Sequence, residues 1–386
     1  MIRPFGYDQK RGELLNTNRK TIHIIAMTDL QNSEVPRTVL VTGGAGFIGS
    51  ALVRYLLTKT TAKVINVDKM TYAANPLTLD TLVRIRQHQH IQADICDEKA
   101  MADIIAETAP DIVIHLAAES HVDRSIDGPA DFVRTNILGT YTLLEIVTRY
   151  QRERAAHDLK DVRFINVSTD EVYGSLGPNN QFSEESAYNP NSPYAATKAA
   201  ADHLTRAWRT TYGLETIVTN ASNNYGPYQF PEKLIPRTII RALLGQPIEV
   251  YGQGTNVRDW IHVDDHAEAL WLAAVNGKPG RTYNIGAESE CQNLDLVRRL
   301  CAILDDNCPA AAPHGRHIAF VADRPGHDHR YALNTSRIQK ELGWQPSISF
   351  DDGLRSTVSW YLENRTWWEP LLKMSYDGRR LGQNVQ

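Results

Sequence analysis

The chain has 386 residues, 42% of them hydrophobic, enough for a sizeable core in one large domain or two closely joined ones. A formal net charge of −4 with no concentrated Lys/Arg block excludes long-range attraction to nucleic acid or acidic lipid, leaving small anionic ligands met by a few placed cations. No apolar run approaches a membrane span, Ile22 to Met27 is too short for a signal-peptide core, and Cys96, Cys291, Cys301 and Cys308 show no C-x-x-C spacing.

These exclusions imply a soluble cytoplasmic protein with reduced thiols. The 13 histidines are scattered, and His327-Asp328-His329 lacks the flanking pattern of a metal-binding helix, so no metal is expected. Residues 1–36 are polar and aperiodic; they read as an N-terminal extension, either disordered or preceding an alternative start at Met27.

The first predicted strand is Thr38 to Thr42, a β-branched run of the kind buried in parallel sheets. It leads into Gly43-Gly44-Ala45-Gly46-Phe47-Ile48-Gly49, after which Leu52, Tyr55, Leu56 and Leu57 take helical spacing. Further strands are predicted at Lys63 to Val67 (ending at Asp68), near His90 to Gln92, at Asp111 to Leu116, at Arg163 to Val167 and at Thr216 to Thr219. Helical stretches separate them, notably Asp131 to Tyr150 and Tyr194 to Tyr212. This alternation implies an α/β chain with a doubly wound parallel (Rossmann) sheet, whose ligands bind beyond the carboxyl ends of the strands. After about Asn220, prolines at 227, 231, 236 and 247 and a helix over Leu294 to Leu304 mark a smaller α/β lobe. The expected division is 37–222 for dinucleotide and catalysis and 223–386 mainly for substrate, with segments around Asp259 to Asp265 returning to the first domain.

Gly44-x-Gly46-x-x-Gly49, between a strand and a helix, is a dinucleotide fingerprint in its required context. Asp68 at the second strand's end suits ribose hydroxyls and repels a 2′-phosphate, which favours NAD over NADP; Lys69 beside it weakens that preference slightly. Asp94-Ile95 is placed to hold the adenine. Tyr194 and Lys198 lie four apart on one helix face, where the ammonium is expected to lower the phenol's pKa so that it takes a proton from an alcohol. Ser168-Thr169 supplies a hydroxyl to orient that alcohol. Asp170 and Glu171, adjacent at a strand end, exceed what alcohol oxidation requires. An elimination uses both, one to remove a carbon-bound proton and one to protonate a leaving hydroxyl.

Together the segments VTGGAGFIGS, LAAESHVDRSI, STDEVYGS, SPYAATKAAAD, SNNYGPYQFPEKLIP, RDWIHVDDHA and DRPGHDHRY resemble the nucleotide-sugar 4,6-dehydratases of the extended short-chain dehydrogenase superfamily, from about Thr38 to near the C-terminus. Thr169-Asp170-Glu171 discriminates, because related epimerases and decarboxylases share the Tyr and Lys but typically lack the acid pair. The resemblance implies an NAD-dependent loss of water from a nucleotide-sugar, with a thymidine diphosphate glucose favoured and NAD regenerated in the site. It implies Thr169, Asp170, Glu171, Tyr194 and Lys198 as the catalytic set. Cofactor contacts are implied at Gly43, Gly46, Phe47, Ile48, Gly49, Asp68, Lys69, Met70, Thr71, Asp94, Ile95, Leu116, Ala117, Ala118, Glu119, Thr135, Tyr194, Lys198 and Asn224. Substrate contacts are implied at Ser120, Thr169, Asn223, Lys233, Leu234, Arg258, Asn293, Arg324, His327 and Tyr376. It also implies a homodimer joined through a four-helix bundle of the helices at 131–150 and 194–212. Two departures stand out: Ala287-Glu288-Ser289-Glu290 replaces a G-H-N-E-like stretch and adds negative charge near the expected diphosphate, and the N-terminal extension has no family counterpart.

Overall fold

The computed structural model describes residues 37–79, 85–323 and 325–374. The expectations for residues 1–36, Arg324 and Tyr376 lie outside these described residues. Six strands fall on the predicted runs: β1 (Thr38–Thr42), β2 (Lys63–Asp68), β3 (His88–Gln92), β4 (Ile112–His115), β5 (Arg163–Thr169) and β6 (Glu215–Ala221). Shorter ones follow: β7 (Asn223–Tyr225), β8 (Ile248–Tyr251), β9 (Val257–His262), β10 (Thr282–Ile285), β11 (Glu290–Gln292) and β12 (Ile318–Val321).

The main sheet has seven strands in the order β10-β6-β5-β4-β1-β2-β3. Every neighbouring pair in it is parallel. Order reverses between β1 and β4, which opens a crevice at their carboxyl ends. The seventh strand, β10, comes from the C-terminal half and aligns Thr282 with Val218 of β6. Its burial on both faces, rather than any alternation, makes this short TYNI run a sheet member.

Helices cover both faces: α1 (Phe47–Lys59), α2 (Glu98–Thr108), α3 (Thr140–Ala156), α4 (Pro193–Tyr212), α5 (Leu234–Leu243), α6 (Val263–Asn276), α7 (Asn293–Asn307), α8 (Phe350–Glu363) and α9 (Arg365–Met374). One face is closed by α1 and α6, with Leu52, Leu56, Leu270 and Ala273 fully buried against β-strand valines and isoleucines. The other is closed by α2 and α3, through Ile105, Leu143 and Leu144. A separate core lies among α5, α7, α8 and α9, built on Ile239, Leu300, Leu354, Tyr361 and Trp368.

The helix predicted over Asp131 to Tyr150 is not one α-helix. A turn at Pro129–Phe132 passes into a π-helix over Val133–Gly139 before α3 begins. The widened turn has tertiary causes. Asn136 in its middle accepts from the Glu119 amide at 2.9 Å and donates to the Glu119 carbonyl at 3.0 Å and to Thr197 Oγ1 at 2.9 Å. Gly139 sits so close to Ile95 that a Cβ there would fall 2.5 Å from its Cδ1. Insertions of this kind recur at functional sites, and this one carries Thr135 to the crevice lining.

Trp368 is fully buried and donates its indole N–H to the Tyr361 carbonyl at 2.8 Å. Trp368→Ala is expected to destabilise the protein by about 3–5 kcal/mol. The loss would be read as a lower urea midpoint followed by circular dichroism.

Candidate active site

At the sheet's switch point a cleft of about 300 Å³ runs from the glycine turn to the carboxyl end of β5. That size is at the lower bound for pre-formed small-molecule sites. At its floor, Gly43 leaves β1 with φ +75°, a conformation L side chains rarely adopt, and a Cβ there would strike the Ala117 backbone at 2.6 Å. A Cβ at Gly49 would fall 2.1 Å from the Gly43 carbonyl oxygen. Helix α1 starts from Gly46 with no side-chain cap and no acid in its first turn. Its leading N–H groups therefore face the cleft without a built-in anion, which fits a diphosphate.

Asp68 closes the same turn. One of its oxygens accepts from the Ala45 amide at 2.9 Å and the other from the Met70 amide at 2.8 Å. Met70 itself has φ +60° and turns its side chain toward the core, while Lys69 and Thr71 line the cleft. Lys69 reaches Asp94 at 2.7 Å. Burial works to raise the Asp94 carboxyl, but hydrogen bonds from Lys69 and the Cys96 amide hold it below the ordinary value. The Lys69 charge is thus spent on Asp94 and offers little to a 2′-phosphate beside Asp68.

Phe47, Ile48, Ile95, Leu116, Ala117, Ala118, Glu119, Ser120, Thr135, Asn223, Asn224 and Lys233 line the cleft with these groups. Lys233 donates to the Ser120 carbonyl at 3.0 Å, which ties the β4 loop to the segment ahead of α5. Asn223 keeps a buried side-chain oxygen with no protein partner. Leu234 stands just behind Lys233 at the start of α5, off the lining.

Three further expected contacts are also absent from this lining. Arg258 is buried and donates to the carbonyls of Val257, Asp328 and His329, with its guanidinium 4.3 Å from the Tyr331 ring centroid. Asn293 begins α7 with its side-chain oxygen buried and unpartnered. His327 bonds Asp323 at 2.6 Å. Among the described residues no cluster suits a metal, and Asp328 between the two histidines is engaged by Tyr331 and Asn191.

At the cleft's other end, β5 finishes at Thr169 and the chain enters a 3₁₀ turn over Asp170–Tyr173. Thr169 Oγ1 caps that turn, accepting from the Glu171 amide at 3.3 Å and donating to Asp170 Oδ1 at 3.2 Å. Asp170 is 2% exposed, and its Oδ2 has no protein partner. Burial, then Glu171, then Asp259 push its carboxyl well above the ordinary value. Two adjacent acids are thereby split into a buried one that favours its proton and a partly exposed one.

Helix α4 carries Tyr194 and Lys198. Ser192 caps its N-terminus by accepting from the Ala195 amide, with Pro193 at the first position, and Gly213 ends it. This phase buries Tyr194, Lys198 and Asp202 on one stripe. The expectation that Lys198 lowers the Tyr194 phenol is not met. Burial raises the phenol, Glu171 adds to it, and only the Thr169 hydroxyl offsets them. The physical reason is that the ammonium is committed elsewhere: Lys198 Nζ donates to the Val167 carbonyl at 2.8 Å, and its countercharge is Asp202.

Asp202 went unnoticed in the motif reading, although it stands one turn beyond Lys198 on the same face. It accepts from Asn166 Nδ2 at 2.7 Å, Ser168 Oγ at 2.8 Å and the Tyr188 hydroxyl at 3.0 Å. Ser168 therefore serves Asp202, and Thr169 is the member of that pair whose hydroxyl acts on the Tyr194 phenol. Burial lifts Asp202 to about 6 against the pull of Lys198. Asp259, lifted by burial to about 6, was likewise missed, because its β9 neighbours give no sign that it approaches Asp170.

The Glu288-Ser289-Glu290 departure carries less charge than expected. Glu290 forms a bidentate pair with Arg330 at 2.6 and 2.7 Å, and Glu288 accepts from Thr335 Oγ1.

The chain resembles known proteins over most of its length. The family model for GDP-mannose 4,6 dehydratase matches residues 40–357. A dTDP-glucose 4,6-dehydratase of Escherichia coli is 51% identical, over 89% of this chain and 99% of that one. A structure of dTDP-glucose 4,6-dehydratase from Bacillus anthracis in complex with NAD matches at TM-score 0.78 and 40% identity, covering 87% of this chain and 99% of that one. UDP-glucose 4-epimerase from Thermotoga maritima, solved with UDP-glucose, matches at TM-score 0.75 and 30% identity, covering 85% and 99%.

Burial lowers the Lys198 pKa and the Asp202 charge raises it. Asp202→Asn should therefore drive the ammonium's pKa further down, so that it loses its proton at lower pH. NMR titration of labelled lysine would follow it, and an unchanged Lys198 titration would show that Asp202 is not its countercharge.

Proposed function

The chain belongs to the family described as GDP-mannose 4,6 dehydratase, and from that premise we infer that it is an NAD-dependent hydro-lyase converting dTDP-glucose to dTDP-4-keto-6-deoxyglucose and water. The observation that carries this reading is the pair Asp170 and Glu171 in one cleft with Tyr194, Lys198 and the glycine turn, the Asp170 carboxyl raised by burial. An epimerase has no use for that acid.

NAD⁺ when bound supplies a hydride acceptor that is regenerated within the turnover, and with it a positive charge that favours the Tyr194 phenolate. Gly43, Gly46 and Gly49 with the α1 N-terminus hold its diphosphate, Asp68 a ribose, and Asp94 and Ile95 the adenine. Tyr194 takes the proton of the sugar 4-hydroxyl, which Thr169 orients, and Lys198, one turn along the same helix face and fixed by the Val167 carbonyl, holds the nicotinamide ribose. Oxidation at C4 acidifies the C5 hydrogen, which Glu171 removes. Asp170 then protonates the C6 hydroxyl, which leaves as water, and Glu171 returns its proton to C5.

Residues 37–222 serve the cofactor and the chemistry, and 223–386 mainly the nucleotide-sugar. Ser120, Asn223 and Lys233 meet the nucleotide-sugar within the cleft. The protein works in the cytoplasm as a homodimer; among the described residues no helix is long and apolar enough to cross a membrane. Val133, Leu138, Tyr141 and Tyr212 are 45–53% exposed on the π-helix, α3 and α4, and they suit a four-helix interface.

Incubation with dTDP-glucose and no added cofactor should give product lighter by one water with no net NADH, measured by mass spectrometry and absorbance. An unchanged mass with a new stereoisomer would overturn the reading in favour of epimerisation. Glu171→Gln should slow water loss by about 10²- to 10⁴-fold while leaving reduced cofactor visible in the site. Leu138→Glu should convert a dimer to monomers in sedimentation velocity, and a wild-type monomer would sink the interface.

A further inference from the structure

The proposed reaction does not balance its protons group by group. Tyr194 ends a turnover holding the proton of the sugar's 4-hydroxyl. Asp170 ends it without the proton that left in water. Glu171 takes the C5 proton and gives it back, so it is unchanged. Substrate goes to product plus water with no proton released, hence each turnover leaves one proton too many on Tyr194 and one too few on Asp170. The enzyme is ready again only when that proton has crossed.

Thr169 stands between the two. Its Oγ1 donates to Asp170 Oδ1 at 3.2 Å, and its single proton, turned the other way, is the hydrogen bond that favours the Tyr194 phenolate. The three side chains are secluded: Thr169 and Tyr194 are each 9% exposed and Asp170 2%. Bulk water is therefore a poor substitute for a hydroxyl already in line.

We propose that the Thr169 hydroxyl returns the proton from Tyr194 to Asp170 between turnovers. The Tyr194 O–H bond breaks as the Thr169 oxygen gains that proton. The original Thr169 O–H bond breaks as its proton bonds to Asp170 Oδ1. No electrons change hands, and no outside acid or base is consumed. The end state is consistent on both sides, since Thr169 then donates to the phenolate and accepts from the acid. Burial and the neighbouring carboxylates of Glu171 and Asp259 favour a proton on Asp170, and the positive charge that bound NAD⁺ brings favours its departure from Tyr194.

The inference rests on the dehydratase reading, so the test compares the wild type, Thr169→Ser and Thr169→Val as NAD-bound enzymes mixed with excess dTDP-glucose. Quenched samples count dehydrated product per site against time. Wild type and Thr169→Ser are expected to show similar ratios of first-turnover to steady rate. Thr169→Val, which keeps the shape without the hydroxyl, is expected to form one product per site and then continue at least tenfold more slowly. That slow phase alone should accelerate with imidazole buffer concentration. Equal loss in both phases with no buffer effect would overturn the relay and leave Thr169 only an orienting role. Absence of dehydration by the wild type would overturn the dehydratase reading itself and the relay with it.

Discussion

A buried ammonium persists only where a countercharge and hydrogen bonds replace its water, and Lys198 has both in Asp202 and the Val167 carbonyl. Asp202 in turn is satisfied by Asn166, Ser168 and Tyr188, which belong to β5 and the loop ahead of α4. One helix face is thereby locked to one strand. The register of α4 against β5 then decides that Tyr194 meets Thr169, because Thr169 is the next residue along the strand from the pair that anchors the lysine.

The same burial governs the acids. Asp170 is almost wholly buried, and Glu171 and Asp259 add repulsion, so its carboxyl is pushed well above the ordinary value while the second acid remains partly exposed. Chemical difference between like functional groups arises here from depth first and neighbouring charge second. A price follows for the phenol: the environment that raises Asp170 also disfavours the Tyr194 phenolate. The cleft therefore depends on a bound positive charge to set its tyrosine, which couples cofactor occupancy to chemistry.

Much of this was legible along the chain. The strand–glycine–helix unit, the Tyr–Lys spacing and the Asp–Glu pair are contiguous signals, each complete within a few residues. Less visible were groups that act across elements. Asp202 lies within a quoted motif but reads as an ordinary polar helix residue until Ser168 and Asn166 are seen facing it. Arg258 looks like a free cation for a phosphate, yet its guanidinium is held by carbonyls of the 328–329 segment. The π-helix at Val133–Gly139 leaves no mark in a 3.6-residue apolar pattern, since it arises from Asn136 and Gly139 meeting Glu119 and Ile95.

The sequence by itself determined the parallel α/β sheet, the dinucleotide turn and the Tyr–Lys and Asp–Glu pairs that meet in one cleft, because alternation of apolar runs and fixed short spacings act through local backbone geometry. Tertiary structure alone decided the direction in which burial and charge push those groups' pKa values, the seventh strand at the sheet's edge and the pairing of Glu290 with Arg330. Those outcomes depend on desolvation and on charges far apart in the chain, and both exist only once the strands and helices have been brought together.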